Sequence, residues 1–400
     1  MLTLLSFGIE NFRSFYSRQE LELPNPEKSN ITAIYGPNAG GKSNIAKAFM
    51  PFLHCITNSA EANYALPYEP FLLREGSDSE PTSFDVTFSH DDHIYTYLIS
   101  YNHKRIIKEE LKEKALGTRR SKTIFLRESD GSINPAASKY GFDKKLSEVT
   151  RKDTLLITKA RENNNNYANL IFDLTRSLII SQGAMAGLHP HYTDLLKTDS
   201  ELKKKVVNLL KKCDFSIRDL TVEETFIPDD VLVALQVPEE VRRQMIGPAT
   251  SITTTHVVRD KDKKVIGTRQ LDLAMQESAG TNELIGTITP IFKALEKGKT
   301  IFLDEFGAFM HTSLVNAIID LFESEENKRG ARLVFNTHNT SIMSRSGINR
   351  EDIIFVEKNL AEESVITPFS SLSIRKDEAF EKRYRAGMYG GVPVLRMSDD

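Results

Sequence analysis

Three stretches of this 400-residue sequence predict an α/β fold with an antiparallel β layer and a helical insertion. An apolar run over residues 31–35 ends in glycine and leads through GPNAGGKS into a segment, 44–52, where Ile45, Ala46, Ala48, Phe49 and Phe52 recur at helical spacing. Between residues 84 and 126, FDVTF, IYTYLISY and TIFL are separated by polar turns such as HDDH and ESDG, the pattern of antiparallel strands. From 143 to 243 helix formers prevail, and Leu202, Val206, Leu209, Leu210 and Cys213 form one apolar stripe.

In chain order, two short strands are expected at 2–7 and 21–23, ahead of the buried strand at 31–35. Within the helical stretch the asparagines at 163–166 read as a loop, and Pro228, Pro238 and Pro248 break its later part. The β pattern returns as SITTTHVV, a polar turn at 260–264 and VIGTRQLDL, a hairpin leading back to the core. The expected organisation is 1–135 and 251–400 as two parts of one head, with 136–250 a mainly helical insertion.

Composition narrows the function classes. A 40% hydrophobic and 27% charged chain is globular in type. Its net charge of -3 provides no global attraction to nucleic acid or anionic lipid, so such binding would need local patches. The N-terminus MLTLLSFGIENFRSF lacks the cationic start of a signal peptide, and no apolar run reaches the ~20 residues of a membrane span. Cys55 and Cys213 form no CxxC pair, so no disulfide framework or cysteine zinc site is expected. The expectation is a cytoplasmic protein with no membrane partner.

GPNAGGKS, comprising Gly36, Pro37, Asn38, Ala39, Gly40, Gly41, Lys42 and Ser43, fits the phosphate-loop pattern without mismatch. The glycines let backbone N–H groups wrap phosphates, with Asn44 next in line, Lys42 neutralises the β and γ groups, and Ser43 offers its hydroxyl to Mg²⁺ at a helix N-terminus. ATP and Mg²⁺ are the expected cofactors. KTIFLDEF, residues 299–306, is an apolar strand ending in two carboxylates: Asp304 would hold Mg²⁺ and Glu305 would polarise the attacking water. LVFNTHN places His338 after another apolar strand, 33 positions beyond Glu305, where a histidine can sense the γ-phosphate. ESAGTNEL puts Ser278 and Gly280 at the start of a helical pattern, where dipole and N–H groups favour a phosphate; the same residues also read as an ordinary helix cap.

Together these segments resemble the ABC ATPase heads of the SMC and RecF/RecN class: an N-terminal IENFRSF, a P-loop, a long insertion, then signature, Walker B and switch histidine in close order. More narrowly, NFRSF, ESAGT and the tail RYRAGMYGGVPVL, residues 383–395, resemble the small bacterial AAA/ABC-like ATPases of abortive-infection and other anti-phage systems. The resemblance covers residues 1–130 and 250–395. It implies an ABC-head P-loop fold in which Ser278 and Gly280 touch the γ-phosphate of ATP bound on a partner subunit, residues 307–310 form the D-loop, and Glu305 and His338 act in hydrolysis. It further implies a homodimer closing on two ATPs, higher-order homo-oligomers built from it, and a sensor or regulator of a separately encoded effector such as a nuclease or toxin. Two departures stand out: the signature reads S-A-G-T rather than S-G-G-Q, and no glutamine is placed as a Q-loop.

A RecF-like DNA-binding repair ATPase is the alternative, since Lys203, Lys204, Lys205, Lys211 and Lys212, with Arg119, Arg120 and Lys122, could meet phosphates; such lysines also read as a solvated helix face. The insertion lacks the sustained heptads of a long coiled coil. His189 and His191 are two candidate metal ligands without a third, which favours a structural role. The tail, apolar at Met388, Tyr389, Val392, Val394 and Leu395, is expected to dock.

Overall fold

The computed structural model describes residues 2–181, 189–213, 216–226, 248–372 and 380–385, and the isolated positions 233, 239 and 242. The chain divides into two units. The first comprises Met1–Ser181, Ala294–Phe306 and Ile319–Asp400, the second Gln182–Lys293 and Gly307–Ile318.

The first unit holds two sheets. Strands β1 (Thr3–Glu10), β2 (Gln19–Glu22), β4 (Thr82–His90), β5 (His93–Tyr101), β6 (Ile106–Ala115) and β7 (Lys122–Glu128) pair antiparallel in the order β2-β1-β4-β5-β6-β7. This is the antiparallel layer expected between 84 and 126, extended by the two N-terminal strands. In the second sheet β3 (Ile31–Tyr35), β8 (Leu178–Ser181), β12 (Thr300–Leu303), β13 (Arg332–Asn336) and β14 (Ile353–Lys358) run parallel, and β15 (Ser364–Pro368) closes the edge antiparallel, in the order β15-β14-β3-β13-β12-β8. Every residue of β3, β12 and β13 is buried, as expected for parallel strands covered on both faces.

Helix α1 (Lys42–Asn58) joins the sheets. Its Phe49 stacks on Phe7 of β1 at 3.8 Å between ring centroids and meets Phe302 of β12 at 4.3 Å. Burying one such side chain is worth about 1.5–3 kcal/mol. The helix outruns the expected 44–52 because Cys55 and Ile56 continue its buried stripe.

Three short helices follow in the same unit: α2 (Lys144–Val149), α3 (Leu156–Arg161) and α4 (Asn166–Arg176). Leu156, Ile157, Ala160, Ile171, Phe172 and Leu174 join the core that contains Phe7 and Phe49. The expected boundary at residue 135 therefore falls inside this unit. The asparagine run ends in a helix cap, with the Asn165 side chain accepting from the N–H groups of Tyr167 and Ala168. LIIS, four apolar residues that periodicity cannot separate from a helix, becomes β8 because β12 supplies its partner.

In the second unit β9 (Ile217–Phe226), β10 (Pro248–Arg259) and β11 (Val265–Asp272) form an antiparallel sheet in the order β11-β10-β9. The expected hairpin is present, closed by Asp260 N–H to Lys264 O and Lys263 N–H to Asp260 O. The expected boundary at 250 falls within β10, which Pro248 opens; Pro228 and Pro238 lie outside the described residues. Helices α5 (Pro190–Thr198), α6 (Ser200–Lys212) and α7 (Leu273–Gln276) complete this part. On α6 the buried stripe is Leu202, Val206, Val207 and Leu210, with Leu209 and Cys213 only half-buried. Helices α8 (Ala279–Lys297) and α9 (Thr312–Glu323) each begin in the second unit and end in the first. A last helix, α10 (Phe380–Arg385), returns to the first, where Tyr384 stacks on Phe355 at 5.4 Å and meets Tyr35 at 5.9 Å. The remainder of the tail, 386–395, lies outside the described residues.

Candidate functional site: the phosphate loop and the carboxylates facing it

The loop after β3 has room only for glycine at its turning points. A Cβ on Gly36 would lie 1.9 Å from the carbonyl oxygen of Val356, and Gly41, at φ +107°, would drive one to 2.1 Å from Ser364 Oγ. The chain then enters α1, whose start has no side-chain cap, while Asn44 N–H donates to Gly41 O at 3.0 Å. Lys42 folds back so that Nζ donates to Gly36 O and Pro37 O, both at 2.8 Å. Burial lowers the Lys42 pKa, and the charges of Asp304 and Glu305 oppose that shift. Residues 38–44 together with Glu305, Asn336 and His338 line a cleft of 390 Å³.

Two carboxylates follow β12: Glu305 lines this cleft, and Asp304 bonds to Ser43, which lines it. Asp304 is buried, and its Oδ1 accepts from Ser43 Oγ at 2.8 Å and from Asn336 Nδ2. Glu305 is exposed and adopts φ +53°, left-handed backbone that costs a non-glycine residue about 1–2 kcal/mol. The conformation is held by Asn336, whose Oδ1 accepts the Glu305 N–H at 2.7 Å, while Phe306 N–H donates to Asn336 O at 2.9 Å. The left-handed turn breaks the strict alternation of a strand, so Glu305 lines the cleft while its neighbour Asp304 bonds to Ser43. His338 stands just beyond β13, its pKa lowered first by desolvation on burial, then by the Lys42 charge, with Glu305 acting the other way.

This arrangement fits Mg-ATP. Ser43 Oγ and Asp304 Oδ1 already lie within hydrogen-bond distance of one another, a hard-oxygen pair of the kind Mg²⁺ takes beside phosphate and water. Lys42 Nζ and the N-terminus of α1, which has no side-chain cap, offer positive charge to phosphate. A larger cleft of 910 Å³ is lined by Arg127, Asp130 and Lys144 among others, and there the Arg127 guanidinium already donates to Thr154 O at 2.8 Å.

Sequence reasoning did not single out Asn336, although it orients both carboxylates. Its signal, an asparagine two residues before His338, reads equally as an ordinary turn residue. The expected signature residues belong to the second unit and do not line this cleft. There Ser278 Oγ accepts the Thr281 N–H at 3.1 Å, an N-cap for α8, and a Cβ on Gly280 would lie 2.8 Å from Phe309 O. Glu283, 1% exposed, is a second residue the sequence reading passed over. Its carboxylate accepts the N–H groups of Gly307, Ala308 and Phe309 at 3.0, 3.1 and 2.7 Å.

Elsewhere, His189 Nδ1 accepts the His191 N–H and caps α5, and among the described residues no group of three His, Cys, Asp or Glu could hold a metal. Among the described residues no helix is long and apolar enough to cross a membrane.

A family described as "AAA domain, putative AbiEii toxin, Type IV TA system" matches residues 31–344, well over half of the chain. The chain belongs to that family. By family it carries an AAA-type P-loop domain, and the match spans β3, the loop, both carboxylates and His338. Among solved structures it is similar to an SMC head domain from Thermotoga maritima, at 14% identity and TM-score 0.41 over 92% of this chain and 98% of that one. It is likewise similar to a structure described as the recombination mediator protein RecF-ATPrS in RecFOR pathway, at 14% identity and TM-score 0.40 over 91% of this chain and 98% of that one. No curated protein matches.

Proposed function

We propose that this protein binds Mg-ATP at the Lys42 cleft and hydrolyses it in a cytoplasmic homodimer. A second copy's Ser278 and Gly280 complete each site, and nucleotide state regulates a separately encoded effector, a nuclease or toxin, in phage defence. The observation that carries the catalytic part is the shared array of Ser43, Asp304, Asn336 and Glu305 around one cleft. The family's description, which names a toxin of a type IV toxin–antitoxin system, supports the defence setting.

Ser43 and Asp304 would hold Mg²⁺, which when bound neutralises charge on the β- and γ-phosphate oxygens. Lys42 would exchange its two carbonyl partners for phosphate. Glu305, exposed to the cleft, would orient the attacking water and take its proton, and His338, kept neutral by its lowered pKa, would meet the γ-phosphate. The DNA-binding alternative gains little from α6, where Lys203 pairs with Asp219 at 3.1 Å and Lys204 with Glu201 at 2.7 Å.

The test is ATP turnover and light scattering on the full chain. Glu305→Gln should retain ATP while losing roughly 10²- to 10⁴-fold in rate, and should accumulate an ATP-dependent dimer that Ser278→Arg dissolves. Wild-type turnover in Glu305→Gln, or an association state indifferent to ATP, would overturn the shared-site mechanism. In cells, protection from phage that survives Lys42→Ala would sink the nucleotide-regulated defence role.

A further inference from the structure

The Glu283 carboxylate makes an unusual bond set for a side chain on a helix surface. It is almost wholly buried, and its two oxygens take three consecutive backbone N–H groups from the loop 307–309, all within the second unit. Hydrogen bonds to a charged acceptor are worth about twice neutral ones, so this loop is fastened to α8 rather than resting on it. Two further features tighten the joint. Gly280, one turn earlier, lets the carbonyl of Phe309 approach to where a Cβ would be 2.8 Å away, and Gly307, at φ +79°, has no room for a Cβ beside Val315 Cγ2, which would lie at 2.6 Å. Ser278, Gly280 and Glu283 thus occupy one helix start, and the loop they hold begins two residues after Glu305.

We propose that Glu283 is a positioning residue for hydrolysis. It makes the start of α8 and the loop 307–309 one rigid piece, so that engagement of Ser278 and Gly280 by nucleotide is passed along the chain to the placement of Glu305. This rests on the ATPase reading above. The step transmitted is mechanical. Phe306, between the loop and Glu305, donates its N–H to Asn336 O and accepts from Thr337 Oγ1 at 2.9 Å, and Asn336 Oδ1 holds the Glu305 N–H, so a displacement of residue 307 acts through Phe306 on the residue that orients Glu305.

The experiment compares full-length wild type, Glu283→Gln and Glu283→Ala by equilibrium ATP binding, steady-state turnover and thermal melting. Glutamine keeps the shape and one acceptor oxygen but turns an NH₂ toward an N–H, so it should lower kcat about tenfold with ATP affinity, KM and Tm little changed. Alanine should lower kcat at least a hundredfold. Wild-type kcat in Glu283→Gln, or a loss of turnover matched by equal losses of ATP affinity or Tm, would overturn the positioning role. A wild-type protein that binds ATP without turning it over refutes the ATPase reading instead, and the proposal with it.

Discussion

Asn336→Ala removes two bonds at once: the Glu305 N–H to Oδ1 and the Nδ2 donation to Asp304 Oδ1. A neutral hydrogen bond contributes about 0.5–1.5 kcal/mol net and one to a charged group about 1.5–3 kcal/mol, so together they hold the two carboxylates by about 2–4.5 kcal/mol. They act against the about 1–2 kcal/mol of left-handed strain at Glu305. Without them the backbone relaxes toward extended geometry and takes the carboxylate out of the cleft. At 1.36 kcal/mol per decade, turnover should fall roughly 30- to 2,000-fold. Asp304 keeps its bond from Ser43 and Lys42 is untouched, so ATP affinity should stay within about threefold. Phosphate release and equilibrium nucleotide binding on the same preparation read the two quantities separately. Turnover within threefold of wild type, or a loss of affinity as large as the loss of rate, would refute the assignment of Asn336 to the carboxylates.

Glu305→Gly should abolish turnover while leaving stability unchanged or higher by up to about 1 kcal/mol in urea unfolding, because relief of left-handed strain exceeds or offsets the added freedom of glycine in the unfolded chain; a loss above about 1 kcal/mol would contradict a strained, exposed Glu305. By histidine NMR titration of the nucleotide-free protein, His338 should titrate below the ordinary value of about 6.5. Lys42→Met should raise that pKa by removing a repelling cation and Glu305→Gln should lower it further, with opposite signs ruling out the proximity of these groups. Since the native state disfavours the protonated ring, His338 adds stability above pH 6.5 that is lost as pH falls through its folded pKa. Tyr384→Ala should cost about 3 kcal/mol and lower Tm, as expected for loss of a buried aromatic packed on Phe355 and Tyr35; an unchanged Tm would make α10 an ordinary loose end.

The sequence by itself determined the α/β class, the strand–loop–helix from Ile31 to Ser43, the antiparallel layer and the identity of the two carboxylates at the end of β12. These rest on local rules: a glycine turn feeding a helix start, alternation in strands, and acidic residues ending an apolar run. It left open which neighbours orient those groups, because orientation comes from pairing remote segments. Asn336 reaches Asp304 and Glu305 only because β13 lies parallel beside β12, pairing Phe335 with Leu303. LIIS is a strand only because that same β12 has a free edge. Helices α2 to α4 join the first unit because their apolar faces meet α1 and the β layer, a match no single stretch of sequence encodes. Glu283 reads as one more acidic residue on a helix until the fold brings three backbone N–H groups to it; a buried charge needs such partners to remain, and only the tertiary structure supplies them.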